Sequence, residues 1–254
     1  MQHYIRAVRQ WPKGIRFYIA LISIVLTAEV YFSLRSIYGN SGTMIIRTQQ
    51  TYAWISLTLI ILALAIGPAC KSFKWLPGTS LLRDARRMIG ISAAWFAAWH
   101  VGISYIDQFH AANPFALPPK YQLAFLLGTT ALLILLAMAL TSFNAAFKGM
   151  GIWWFRLHRL LYASVILILL HAFMIGSHAL TLPFFVGVFI ALSVLFALQV
   201  YIGFGPGKEP TMLKSITVIY GIVLVLATFA FGFHERAVFR ATSMPNNGLQ
   251  YETR

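Results

Sequence analysis

Two histidines, His100 and His171, fall deep inside two separate apolar segments, each twelve or thirteen residues beyond a basic flank. At a rise of about 1.5 Å per helical residue, both lie about 18–20 Å from that flank within a hydrocarbon core about 30 Å thick. An imidazole is costly to bury in lipid unless a partner satisfies it. A lone histidine in a span is often an interhelical hydrogen-bonding residue. Two at one depth, with no carboxylate beside them, are suited to holding a haem iron from above and below. Both axial positions would then be filled, leaving none for oxygen or substrate, so such a haem passes electrons on. Its potential would depend on what accepts each ring's second N–H, for which Ser104 or a backbone carbonyl is available.

A third histidine, His158, stands thirteen residues before His171, at the start of the same apolar segment. That interval is about 20 Å of rise and about 220° beyond three full turns. The two therefore occupy different levels and do not share one face. His158 borders the aqueous interface beside Arg156 and Arg159, where an ordinary solvated histidine would also be at home. His3, His110, His178 and His234 fall in loops or near ends and carry no assigned role.

The elements that position these residues follow from composition. Of 254 residues 59% are hydrophobic and 10% charged, with twenty Lys and Arg against six Asp and Glu. This excludes a soluble globular domain and reads as a polytopic membrane protein. The net charge of +14 sits in short loops between apolar runs, so it reflects topology, and no nucleic-acid partner is expected. The single cysteine, Cys70, excludes an internal disulfide, a covalent haem attachment motif and a cysteine-ligated cluster supplied by this chain alone, so a bound haem would be b-type.

Seven spans are predicted: Ile15 to Leu34, Thr51 to Cys70, Met88 to Ile106, Leu123 to Thr141, Leu160 to Ile175 (starting earlier, near Trp154), Leu182 to Phe204 and Ser215 to Phe231. Joints are marked by Pro77-Gly78, Pro114 with Pro118-Pro119, Gly149 with Gly151, and Gly205-Pro206-Gly207. The expected fold is all-α, a polytopic membrane helical bundle with a six-helix haem-binding core and a seventh transmembrane helix. Its parts are a cytoplasmic amino terminus (1–14), the core (15–204), a loop with the extra helix (205–231) and a periplasmic tail (232–254). Counted on alternate sides, fourteen of the twenty Lys and Arg fall with the amino terminus, which is predicted inside, and the tail outside. Leu26 and Ala28 make a poor cleavage pair, so the first run reads as a retained helix.

Around His100 lie Ala93, Ala97 and Ser104 on one face, with Phe96 and Trp99 close by and Gly90, Ala94 and Gly102 elsewhere. Such small residues either leave a flat slot for a porphyrin or allow close helix packing. Leu167, Ile168, Met174 and Ile175 around His171 would cover a macrocycle or pack on a helix equally well.

Further residues carry a family likeness. The run Arg86-Arg87-Met88-Ile89-Gly90 leading to Trp99-His100, then Thr141-Ser142-Phe143-Asn144, then Trp154-Phe155-Arg156-Leu157-His158-Arg159-Leu160-Leu161-Tyr162 and His171, resembles the ferric-reductase-like transmembrane haem domain. Within that superfamily it looks most like the membrane haem subunit of the bacterial periplasmic methionine-sulfoxide reductase system. The resemblance covers about residues 15 to 204. It implies a b-haem conduit in the bacterial inner membrane, fed by a cytoplasmic flavin reductase or by quinol and delivering to a periplasmic oxidoreductase: an electron-transfer subunit, not a complete enzyme. His100 and His171 match the outer haem ligands and His158 an inner ligand. Larger relatives carry another histidine thirteen or fourteen positions before the upper one on the third helix, where this chain has Arg87 and Arg86. An inner site would therefore be five-coordinate, differently ligated, taken by a flavin, or empty. Arg86 and Arg87 would serve the carboxylates of an inner haem, and Arg35 or Arg47 those of an outer one, unless they act only as topology determinants.

Two departures from the family stand out. The oxidase relatives continue into a flavin and nicotinamide domain, whereas here Gly203-Phe204-Gly205-Pro206-Gly207-Lys208 precedes another apolar span and does not meet the phosphate-loop pattern. The seventh helix and tail are extra and favour the docking of a partner. Two other classes compete with this one. A transporter or channel would need acidic residues along a path, and the spans hold only Glu29, with Asp107 at an end. Glu29 has a proton role or, more simply, a structural hydrogen bond. The second class is a non-catalytic accessory subunit of a larger membrane complex, with or without haem. A retinal protein is excluded because the last span has no mid-helix lysine.

Overall fold

The computed structural model describes residues 2–73, 75, 78–108, 113–175, 181–204 and 212–243, and among them there are helices and turns but no strand. Eight α-helices follow one another: α1 Gln2–Tyr38, α2 Gly42–Ser72, α3 Thr79–Ile103, α4 Pro119–Leu140, α5 Asn144–Met150, α6 Ile152–Ile175, α7 Leu182–Phe204 and α8 Met212–Ser243. All but the short α5 are long and apolar enough to cross a membrane, so the chain is an all-α polytopic bundle with seven candidate spans. Pro77, Lys74, His110, His178, Gly205-Pro206-Gly207, Lys208 and the tail beyond Ser243, Arg254 included, lie outside the described residues.

Helix boundaries follow local chemistry. Ser41 caps α2, its Oγ accepting from the Met44 amide at 3.3 Å, so α2 begins well before Thr51. Gly151, at φ 52°, makes the sharp break between α5 and α6 that other residues adopt only with strain, and α6 starts at once at Ile152. A π-helical turn, Ser104–Gln108, continues α3 just beyond His100. The last helix runs past Phe231 to Ser243, since Gly232 is packed within it and no proline follows before Pro245.

A buried core joins α2, α3, α4, α6, α7 and α8 through Ile60, Leu64, Ala94, Leu135, Leu169, Phe185 and Phe229. A second cluster packs α2 on α3 through Ala63, Ile66, Cys70, Ala85 and Ile89. Lipid tails are as apolar as leucine, so close packing and interhelical hydrogen bonds hold such helices together. Ser56 Oγ donates to the Ala93 carbonyl at 2.9 Å, and Ser23 Oγ to Ser92 Oγ at 2.8 Å. Ala93 and Ala94 are thus committed to close packing of α3. Ion pairs tie opposite ends of the bundle: Arg16 with Asp84 at 3.4 Å, and Lys120 with Glu235 at 2.5 Å.

Candidate functional site

Helices α3 and α6 bring His100 and His171 together, with ring centres 6.3 Å apart and planes at 86°. Each ring is fixed from behind by a different neighbouring helix. Nδ1 of His100 lies 2.9 Å from the Gln49 carbonyl of α2, and Nδ1 of His171 lies 2.7 Å from the Ala124 carbonyl of α4. A carbonyl can only accept, so in both rings Nδ1 carries the proton and donates it. The lone pair of each neutral imidazole is left on Nε2, the atom a metal would take.

Their spacing can be tested against the group they would hold. With a metal–imidazole bond of about 2 Å and ring nitrogens about 1 Å from their own ring centre, two imidazoles on opposite sides of one ion have centres about 6 Å apart. The observed separation fits that arrangement. No third His, Cys, Asp or Glu joins the pair among the described residues. A bare transition ion would want more protein ligands, whereas a porphyrin brings four nitrogens and asks for two.

Gly128 makes the seat possible. It lies one turn after Ala124 on α4, and a Cβ there would stand 2.6 Å from Nδ1 of His171. Sequence reasoning missed Gly128, since nothing in its own segment distinguishes it. Ser104 does not reach the His100 ring: its Oγ contacts Gln49 Oε1 and the His100 carbonyl. Gln49 and Ser104 thus link the π-helical turn to the segment of α2 that holds the ring. An aromatic group covers this end, with Trp99 5.9 Å from Trp95 and 6.4 Å from Tyr52, whose hydroxyl donates to the Thr27 carbonyl at 2.7 Å.

His158 is not brought to the other two. It stacks on Trp154 at 3.7 Å, donates from Nδ1 to the Trp154 carbonyl at 2.9 Å, and has Nε2 3.5 Å from Ser142 Oγ. Arg86 and Arg87, neighbours in sequence, diverge. Arg86 Nε donates to the Ala63 carbonyl at 2.8 Å and its guanidinium lies over Gly67, so it is tied to α2. Arg87 donates to Asn144 Oδ1 at 2.7 Å and lines a cleft. Glu29 accepts from Ser33 one turn along at 2.8 Å, a local structural bond.

Residues 52–169 match the family model of the ferric reductase like transmembrane component. Among curated proteins, the heme-binding subunit MsrQ of protein-methionine-sulfoxide reductase from Rhodospirillum rubrum is 30% identical over 170 residues, 65% of this chain and 79% of its own length. MsrQ from Azospira oryzae is 34% identical over 119 residues, 46% of this chain and 49% of its own. The magnetosome protein MamZ of Magnetospirillum gryphiswaldense is 33% identical over 126 residues, 48% of this chain and 19% of its own. The match thus spans about half of the Azospira protein and about a fifth of MamZ. No solved structure matches the chain.

Proposed function

This chain belongs to the ferric-reductase-like transmembrane family, and on that premise we propose that it is a b-type haem protein of the bacterial inner membrane that carries electrons outward to a periplasmic oxidoreductase. The observation that carries this reading is the His100–His171 pair, whose centres are 6.3 Å apart and whose Nδ1 protons are both spent on backbone carbonyls. A haem held there supplies a one-electron couple with no open coordination site. The protein's part is to fix both tautomers, hold the rings opposed on rigid helices and keep water from the apolar surroundings. The oxidised and reduced states then differ little in geometry, which suits passing electrons.

The donor is a cytoplasmic flavin reductase or quinol, entering near His158, with Arg87 beside it. That inner position holds a second haem that is five-coordinate or differently ligated, holds a flavin, or stays empty. The likeness to the MsrQ relatives, heme-binding subunits of protein-methionine-sulfoxide reductase, favours a methionine-sulfoxide reductase as the partner outside. In this reading residues 15–204 form the haem core, the amino terminus is cytoplasmic, and α8 with the periplasmic tail docks the partner.

Proteoliposomes test the conduction. With reductant enclosed on the amino-terminal side and a membrane-impermeant acceptor outside, the protein should reduce that acceptor, and His100→Ala or His171→Ala should stop it. A cofactor-free purified protein with no such transfer would favour an accessory subunit instead.

A further inference from the structure

Gln49 meets the histidine site twice. Its backbone carbonyl accepts from Nδ1 of His100 at 2.9 Å, and its side-chain Oε1 accepts from Ser104 Oγ. Ser104 stands one turn after His100 and opens the π-helical turn, and its Oγ also lies 2.7 Å from the His100 carbonyl. A closed loop thus runs from the His100 ring to the Gln49 carbonyl, along Gln49 to its amide oxygen, and back through Ser104 to His100. Gln49 is buried, so this polar loop is held away from solvent. The carbonyl behind His171 belongs to Ala124, whose side chain is only a methyl group. The two rings are therefore held unequally.

Such a loop controls orientation. An imidazole bound to iron through Nε2 can still turn about the metal–nitrogen axis, and what grips its other edge fixes the plane. With the planes at 86°, the two rings overlap with different iron d orbitals, which stay nearly equal in energy. A ferric low-spin haem of that kind gives one strongly anisotropic paramagnetic signal, whereas parallel planes give a rhombic signal of three features. The hydrogen bond matters as well. Donating the Nδ1 proton makes Nε2 a stronger donor to iron and favours the oxidised state, so a slackened bond raises the potential.

We propose that Gln49 and Ser104 are positioning residues, which together set the plane of His100 and the strength of the bond behind it, and so the ease with which the outer haem is reduced. Their role rests on the haem reading above. Both act through the His100 ring, not on the iron, and only one of the two axial ligands is tuned in this way.

The test is a redox titration and a low-temperature paramagnetic resonance spectrum of the full chain, purified with its haem. The wild type should show the single anisotropic signal. Gln49→Leu keeps the backbone carbonyl and much of the volume but loses the amide oxygen, and Ser104→Ala loses the hydroxyl. Each should retain the haem, move its midpoint upward so that a several-fold larger fraction is reduced at a fixed poise, and shift the signal toward the rhombic form. Ser104→Thr, which restores a hydroxyl, should behave as the wild type does. So should Thr51→Ala, which loses only a bond within α2 to the Arg47 carbonyl. The two Ser104 variants cover the case in which Gln49→Leu fails to fold. A haem whose midpoint and signal are unchanged in both Gln49→Leu and Ser104→Ala overturns the positioning role and leaves the haem reading intact. Loss of the haem from Ser104→Ala, with Ser104→Thr keeping it, would make the hydroxyl a structural support alone and also overturns the role. A wild-type protein without haem removes the role together with its premise.

Discussion

Gly128→Ala would place a methyl 2.6 Å from Nδ1 of His171 and 2.8 Å from its Cε1. The ring cannot retreat without leaving the Ala124 carbonyl, a bond contributing about 1 kcal/mol net. Overpacking of this kind costs about 1–3 kcal/mol. Gly128→Ala should therefore lose most of the low-spin haem absorption, whereas Gly187→Ala, with nothing within 4 Å of its new carbon, should keep it. Equal haem content in the two purified variants would remove Gly128 from the account. The histidines themselves were legible in the sequence because a polar ring in an apolar run stands out. Gly128 was not, because its importance comes from a ring on another helix. The same holds for the carbonyls of Gln49 and Ala124, which no side-chain pattern can report.

Among the elements, α8 has the clearest dependence on its neighbours. A carbon added at Gly232 would meet Phe185 at 2.7 Å and Phe173 at 2.8 Å, and Phe173 is two residues beyond His171. Gly232→Val should force α8 away from α6 and α7 and lower the thermal midpoint by several degrees, at about 1–3 kcal/mol of overpacking. A midpoint unchanged from the wild type would mean that the extra helix is only loosely attached. By contrast, Lys120→Ala should change stability by less than about 1 kcal/mol, because the pair with Glu235 is partly solvated. Seven apolar runs made the spanning helices readable, and Gly151 was visible as a joint, whereas the cap at Ser41 was not, because the polar stretch before Thr51 hid the true start of α2. The short α5 and the π-helical turn after His100 were not readable, since each depends on contacts with other helices. The reach of α8 to Ser243 was hidden by a drop in hydropathy that does not end a helix.

For the whole molecule, the excess of Lys and Arg on alternate loops predicts the amino terminus inside and the end of α8 outside. Cys70 is buried, so single exposed cysteines can report sidedness without removing it. In intact cells stripped of their outer envelope, Ala237→Cys should react with a membrane-impermeant maleimide, and Lys148→Cys only after permeabilisation. The reverse pattern would invert the direction of electron flow. Charge asymmetry made this orientation legible. The partner and donor were not, because the loops that would touch them are short and carry no distinctive chemistry.

The claim on which everything else rests is that one iron is held by His100 from α3 and His171 from α6. The most direct measurement is the absorption spectrum of the purified protein, oxidised and then reduced, in the wild type and in His100→Ala, His171→Ala and His158→Ala. A low-spin bis-imidazole b-haem band should appear in the wild type, vanish with either of the first two substitutions and largely survive the third. Loss of all haem on substituting His158 alone, or a full band without His100 or His171, would contradict the account.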